Sequence, residues 1–302
     1  MKIITSYTSG FKATFNTKKL LTTIYIITFL MALIIAIPFS STIQKEAGSS
    51  MAFSALLKDF DYTVYRDFMN HSAMAIQPYI STAIWMGIFY LLFTIFFEGG
   101  ILKVLKRKED KFTLRFFWEA SAKYFSRFFR LAIYMIITQV VIAVILFIIL
   151  SLILSSVYKS VPNESYIFYT ALIGVIIYLL IFIFLLVVTD YAKIMMVEND
   201  EYRPFRTILR SFVFTFKHFL STYFLYLLLL IVPIVLFVIY FKIESIIGMT
   251  SGWGILIVFI IQQLLVWCRI FTKIWILGSE LTLYGKFGNK EEASEGEPVF
   301  GI

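Results

Sequence analysis

Six stretches of this chain run without a single Asp, Glu, Lys or Arg: Leu20 to Gln44, Phe68 to Phe97, Leu131 to Tyr158, Ser165 to Thr189, His218 to Phe241 and Ser245 to Cys268. Within each, the apolar residues are continuous rather than alternating, which excludes lipid-facing strands as the spanning element. Each stretch exceeds the roughly 20 residues a helix needs to cross about 30 Å of hydrocarbon. The pattern predicts an all-α polytopic membrane protein with six transmembrane helices, near 20–40, 77–98, 131–157, 166–190, 219–241 and 253–280. These form one domain over 1–286, followed by an acidic, flexible tail over 287–302. Lys12, Lys18 and Lys19 ahead of the first stretch give it the look of a signal peptide. Its apolar core is too long for that and no small-residue cleavage pattern follows, so it is expected to stay as the first span.

The polar connections have a pattern of their own. From 112 to 130, aromatic residues including Trp118 are interleaved with Lys123, Arg127 and Arg130. From 204 to 217 they are interleaved with Arg206, Arg210 and Lys217, and 10–21 is a shorter version. Each reads as a basic, aromatic-rich interfacial helix leading into a span, with its cations and Trp118 touching lipid headgroups. The segment 51–71 reads as an amphipathic helix on the opposite surface. Together these elements suggest three pseudo-repeated hairpins, each an interfacial helix, a span, a loop and a return span. The return spans close on Glu98, Asp190 and Glu280, separated by 92 and 90 residues, and Tyr124 and Phe216 match at an offset of 92. The plainer alternative is that any six-span chain with both ends on one side is three hairpins. Pro233, inside the fifth span, is expected to kink it.

Composition narrows the function. The chain is 60% hydrophobic and 15% charged, where a soluble domain carries about a quarter charged residues. Of its Lys and Arg, 22 fall on the side that holds both termini and 5 on the other, which places both termini in the cytoplasm by the positive-inside rule. The net charge of +8 is therefore a topology signal spread over short loops. It points to anionic membrane lipids as partners and away from nucleic acid. Cys268 is the only cysteine, so neither an internal disulfide nor a thiol pair for a metal is available. His71 lies near Asp59, Asp61 and Asp67, but the second histidine, His218, falls on the other side of the membrane, so no metal site and no cofactor is expected. No nucleophile, zinc or phosphate-loop motif is present, and the case for an enzyme is thin.

One segment stands out, "WCRIFTKIWILGSE" at 267–280. On an ideal helix Gln262, Arg269, Lys273 and Glu280 fall within about 40° of one another. If Trp253 marks one membrane edge, Arg269 lies about 24 Å in; if Glu280 marks the other, it lies about 16 Å from that edge. A cation at such depth either snorkels or finds a partner. The stripe suggests an anion or lipid site at Arg269, Lys273 and Gln262. Arg269 is expected to turn into the bundle, neutralised by a lipid phosphate or by Glu98, Asp190 and Glu280 as charge partners.

The run "FEGGILKVLKRKEDKFTLRFFWEASAKYFSRFFRL" (97–131) ends a span on Glu-Gly-Gly and crosses a charged linker into an aromatic-basic helix; "TDYAKIMMVENDEYRPFRTILRSF" (189–212) repeats the idea with Asp190. Over about a third of its length the chain resembles a broad group of bacterial six-span membrane proteins. It is similar in style to the membrane domain attached to some glycerophosphodiester phosphodiesterases. The resemblance implies a multi-pass protein of the bacterial cytoplasmic membrane with a connection to lipids. It implies no catalytic residues, and none of these 302 residues is expected to form the soluble phosphodiesterase domain. Two functions follow as expectations: a non-enzymatic protein that binds or translocates an amphipathic anion such as a phospholipid, or a scaffold or accessory subunit whose stripe contacts a partner protein.

Overall fold

The computed structural model describes residues 2–47, 61–107, 112–160, 164–247 and 251–295. Each apolar run is carried mainly by one long helix: α2 (Lys18–Ala47), α4 (Ala73–Lys106), α5 (Leu114–Ser160), α6 (Glu164–Glu198), α8 (Phe219–Ile247) and α9 (Gly252–Glu295). Three shorter helices join them, α1 (Lys2–Asn16), α3 (Tyr62–His71) and α7 (Pro204–Lys217). This is an all-α, multi-pass membrane protein with six apolar helices long enough to span and additional helices that do not span. The end of the bundle that carries α1, α7 and the connections after α4 and α6 is termed basal here, and the opposite end distal.

The helices pair as α2 with α4, α5 with α6 and α8 with α9. The three return spans, α4, α6 and α9, also touch one another. The basal segment that opens each hairpin packs on the return span of the hairpin before it: α5 on α4, α7 on α6, and α1 on α9. Since α1 opens the first hairpin and α9 closes the last, the basal end is a closed ring. Trp275 Nε1 donates to the Tyr7 carbonyl at 2.9 Å, and Lys286 Nζ donates to Thr5 and Ser6, fastening the closure.

Small residues permit these crossings, as is usual where membrane helices approach closely. A Cβ on Gly10 would stand 2.6 Å from the Ser279 backbone nitrogen, and one on Gly100 would stand 2.6 Å from the Phe117 ring. At the third crossing Ser211 Oγ donates to the Val188 carbonyl at 2.5 Å. Tyr124 is buried at its crossing and Phe214 at the next, its ring 5.2 Å from that of Tyr191. The expected counterpart of Tyr124, Phe216, is exposed on the outer face. Phe214 fills the place because the basal segments repeat at a spacing two residues shorter than the 92 read from the acids.

Two junctions between basal helix and span are broken. At Thr17 the side chain donates to the Thr14 carbonyl and α2 starts afresh, and at His218 the backbone N–H closes on Phe214 before α8 begins. The middle junction is unbroken. Residues 114–130, expected as a separate interfacial helix, are continuous with their span in α5, a helix of 47 residues. Pro38, Pro78 and Pro233 lie within helices that run through them. Of the surface helix expected over 51–71, residues 62–71 form α3, capped by the Asp61 carboxylate accepting from Thr63 N–H at 2.8 Å. The rest of that segment, to residue 60, lies outside the described residues. The helix α9 continues to Glu295, into the segment expected as a tail.

The core lies at the basal end. Leu20, Phe97, Leu102, Phe117, Ile194 and Ile274 belong to one buried cluster, and Leu225, Leu229, Trp275 and Leu283 form a second beside α1. Distally the apolar side chains are largely uncovered by protein, Phe147 being 73% and Trp253 78% exposed.

Candidate functional site

The return spans carry their carboxylates to the ring's interior. Lys193, one turn beyond Asp190 on α6, reaches Asp190 at 2.8 Å and Glu98 of α4 at 3.0 Å. Glu98 accepts a second cation, Lys273 of α9, at 2.7 Å. The side chains of Glu98 and Lys193 are 8% and 11% exposed. A chain of ion pairs, Lys273–Glu98–Lys193–Asp190, thus links all three return spans, buried at Glu98 and Lys193 and open at Lys273, whose side chain is 41% exposed. Each charge has the close opposite partner that such burial demands. Glu280, the third carboxylate, is fully buried on α9.

Lys193 was not among the residues singled out from the sequence, which counted it with the loop that follows. Its signal was present: "TDYAKIMMV" stays apolar to Val197, so the lysine lies inside the helix and not after it.

Lys273, and not Arg269, meets the acids. Lys273 sits one turn nearer the basal end, level with Glu98, whereas Arg269 is about 6 Å more distal along the helix. Arg269 is exposed and has no ion pair among the described residues. It opens on a cavity of about 150 Å³ between α2, α4 and α9. Arg269 and Lys273 supply its charge, Thr28, Tyr90 and Thr94 its hydroxyls, and Ile24, Met31 and Phe93 are among its apolar walls. Room for about five waters is also room for a phosphate group.

The stripe drawn on an ideal helix divides among neighbours. Gln262 donates to Tyr240 of α8 at 2.8 Å, Arg269 and Lys273 face α2 and α4, and Glu280 lies towards Asp190 and Tyr191 of α6 and Tyr226 of α8. Gln262 is therefore a helix–helix contact away from the cavity.

The expected headgroup contacts also separate. Arg130, Arg206, Arg210 and Lys217 are exposed, Arg210 lying 3.7 Å from Glu201. Trp118 is part-covered by the rings of Phe96, Phe97 and Phe117. Arg127 is buried, which removes it from the lipid surface: Nη1 donates to Asp200 at 2.7 Å and its guanidinium stacks 3.5 Å over the Tyr202 ring. Asp200, at a left-handed φ of 49°, also accepts from Lys123 at 2.9 Å and from the Tyr124 hydroxyl. These bonds, Lys123 first, hold its carboxyl down to about 2. The hub ties the α6–α7 connection to the basal part of α5.

His71 pairs with Asp67 at 3.2 Å on an exposed face of α3; Asp59 lies outside the described residues. Among the described residues no group of His, Cys, Asp and Glu is placed to hold a metal ion. Comparison with family models, with curated proteins and with solved structures returns no match to this chain.

Proposed function

We propose that this membrane protein binds an anionic phospholipid, as a carrier or receptor without catalysis, and that Arg269 and Lys273 receive the phosphate. The observation that carries the reading is the cavity itself: an arginine without an acidic partner among the described residues, beside a lysine, in a hollow with otherwise largely apolar walls. A cation so placed favours a bound anion, and the apolar walls favour one that brings acyl chains. The basic excess of the basal end supports a cytoplasmic placing of that end. The exposed Arg130, Arg206 and Arg210 would there gather the same anionic lipids.

Purification of the full chain in a mild detergent, followed by lipid extraction and mass spectrometry, tests this. Anionic phospholipid is expected to stay with the protein in stoichiometric amount. Arg269→Leu is expected to lower retention about tenfold or more, the loss of one charge-assisted phosphate contact. Equal retention by the variant, or a lipid-free protein that brings a stoichiometric protein partner instead, overturns the reading and favours a scaffold.

A further inference from the structure

Glu280 lies outside the ion-pair chain. Counted as ionised, the cluster holds three carboxylates, Glu98, Asp190 and Glu280, against two ammonium groups, the buried Lys193 and the half-exposed Lys273. The two lysines are already bonded to Glu98 and Asp190. Both oxygens of Glu280 are buried and neither has a hydrogen-bond partner. The Tyr191 hydroxyl nearby is buried and unpartnered as well. An interior carboxylate with neither counter-charge nor donor is among the least favourable groups a protein can hold. A neutral carboxyl removes that penalty and gains a donor of its own.

The surroundings supply no other neutraliser. On α6, Asp190 and Lys193 are the charged groups that act on Glu280, one of each sign, and Tyr191 feels its field. On α8 it is Tyr226 that feels it, and on α4 Glu98 stands behind Lys193. On α1 the residues buried at the crossing are Ser6, Gly10 and Thr14; its titratable side chains on this side are Tyr7, whose ring packs on Trp275, and Lys2, whose ammonium lies over the Phe287 ring. The face of α2 in the core is Leu20, Leu21 and Ile24. On α9 itself Lys273 is held by Glu98, and His218 stacks on Phe287 two turns further on. A metal is no substitute, since no ligand group is assembled among the described residues.

We propose that Glu280 is a proton-binding site, a carboxyl that holds an exchangeable proton inside the basal ring at neutral pH. The proton comes from water and adds to one carboxylate oxygen. The cluster is then electrically neutral, with Lys193 and Lys273 balancing Glu98 and Asp190. Releasing the proton leaves one uncompensated negative charge between α6 and α9, so occupancy of the site and closure of the ring are linked.

Infrared spectroscopy of the full chain in detergent tests the site directly. A carboxylic-acid carbonyl band is expected at neutral pH, with a downshift in deuterated water that shows exchange. Labelling all glutamates with carbon-13 at the side-chain carboxyl is expected to move that band, and labelling aspartates is expected to leave it. Glu280→Gln is expected to abolish the band while Glu98→Gln keeps it. Absence of the band at neutral pH, a band that follows the aspartate label, or one that persists in Glu280→Gln overturns the proposal. The label arms need no substitution and decide between glutamate and aspartate even if a variant fails to fold.

Discussion

The basal and distal halves of the bundle are built from the same six helices, yet they pack differently. Along α4, α6 and α9 the side chains before about residues 93, 181 and 266 are mostly uncovered, and those beyond about 95, 185 and 270 are mostly buried. Solvent explains the contrast. Between acyl chains there is little hydrophobic gain in pressing helices together, because lipid is as apolar as leucine. At and below the headgroups, water restores that gain and a core forms. The boundary on α9 falls near Arg269, about 24 Å from Trp253 by helical rise, close to the thickness of the hydrocarbon. If Trp253 marks the distal edge, Arg269 is about 6 Å short of that thickness, within snorkelling reach of the headgroups, and Lys273 one turn further on is level with the hydrocarbon edge.

Three single substitutions, one of them with a second-site control, test how unequal the halves are, each read as thermal unfolding in one detergent. Lys193→Met removes the cation shared by Glu98 and Asp190 and is expected to cost about 3–5 kcal/mol, as when a buried pair is broken. Adding Glu98→Gln to it should recover part of the loss, and no recovery would mean that packing, not charge, was removed. Gly100→Val inserts a side chain against Phe117 and Ser121 and is expected to cost about 1–3 kcal/mol by overpacking. Distally, Tyr240→Phe takes away the hydroxyl that Gln262 bonds and should cost only about 0.6 kcal/mol, the usual size for one such bond between membrane helices. A distal loss as large as the basal ones would erase the comparison.

The spans were legible because desolvating charge is costly and the six runs contain none. The acids of the return spans were legible for the same reason: they mark where the apolar run stops. What the sequence did not reveal was depth. Lys193 lies beyond Asp190, where a charge ordinarily signals a loop, and only the apolar residues after it betray that the helix stays buried. The exchange of Arg269 for Lys273 as the partner of Glu98 is one helical turn, a shift decided by how α4 sits beside α9. Arg127 looked like a headgroup contact because its neighbours are basic and aromatic. Its burial depends on Asp200, 73 residues away, which no local pattern connects to it.

The unbroken α5 gives the three hairpins unequal mechanics. At about 1.5 Å per residue its 47 residues make a rod of roughly 70 Å. One end lies in the basal ring against α4 and the Asp200 hub, and the other reaches the distal surface. The first and third hairpins have a joint at the same place, at Thr17 and His218, where a basal helix can swing while its span stays still. A tilt of the ring beneath the second hairpin has no such joint to absorb it. The middle hairpin is therefore the one in which basal helix and span are a single continuous element, with α6 packed along it.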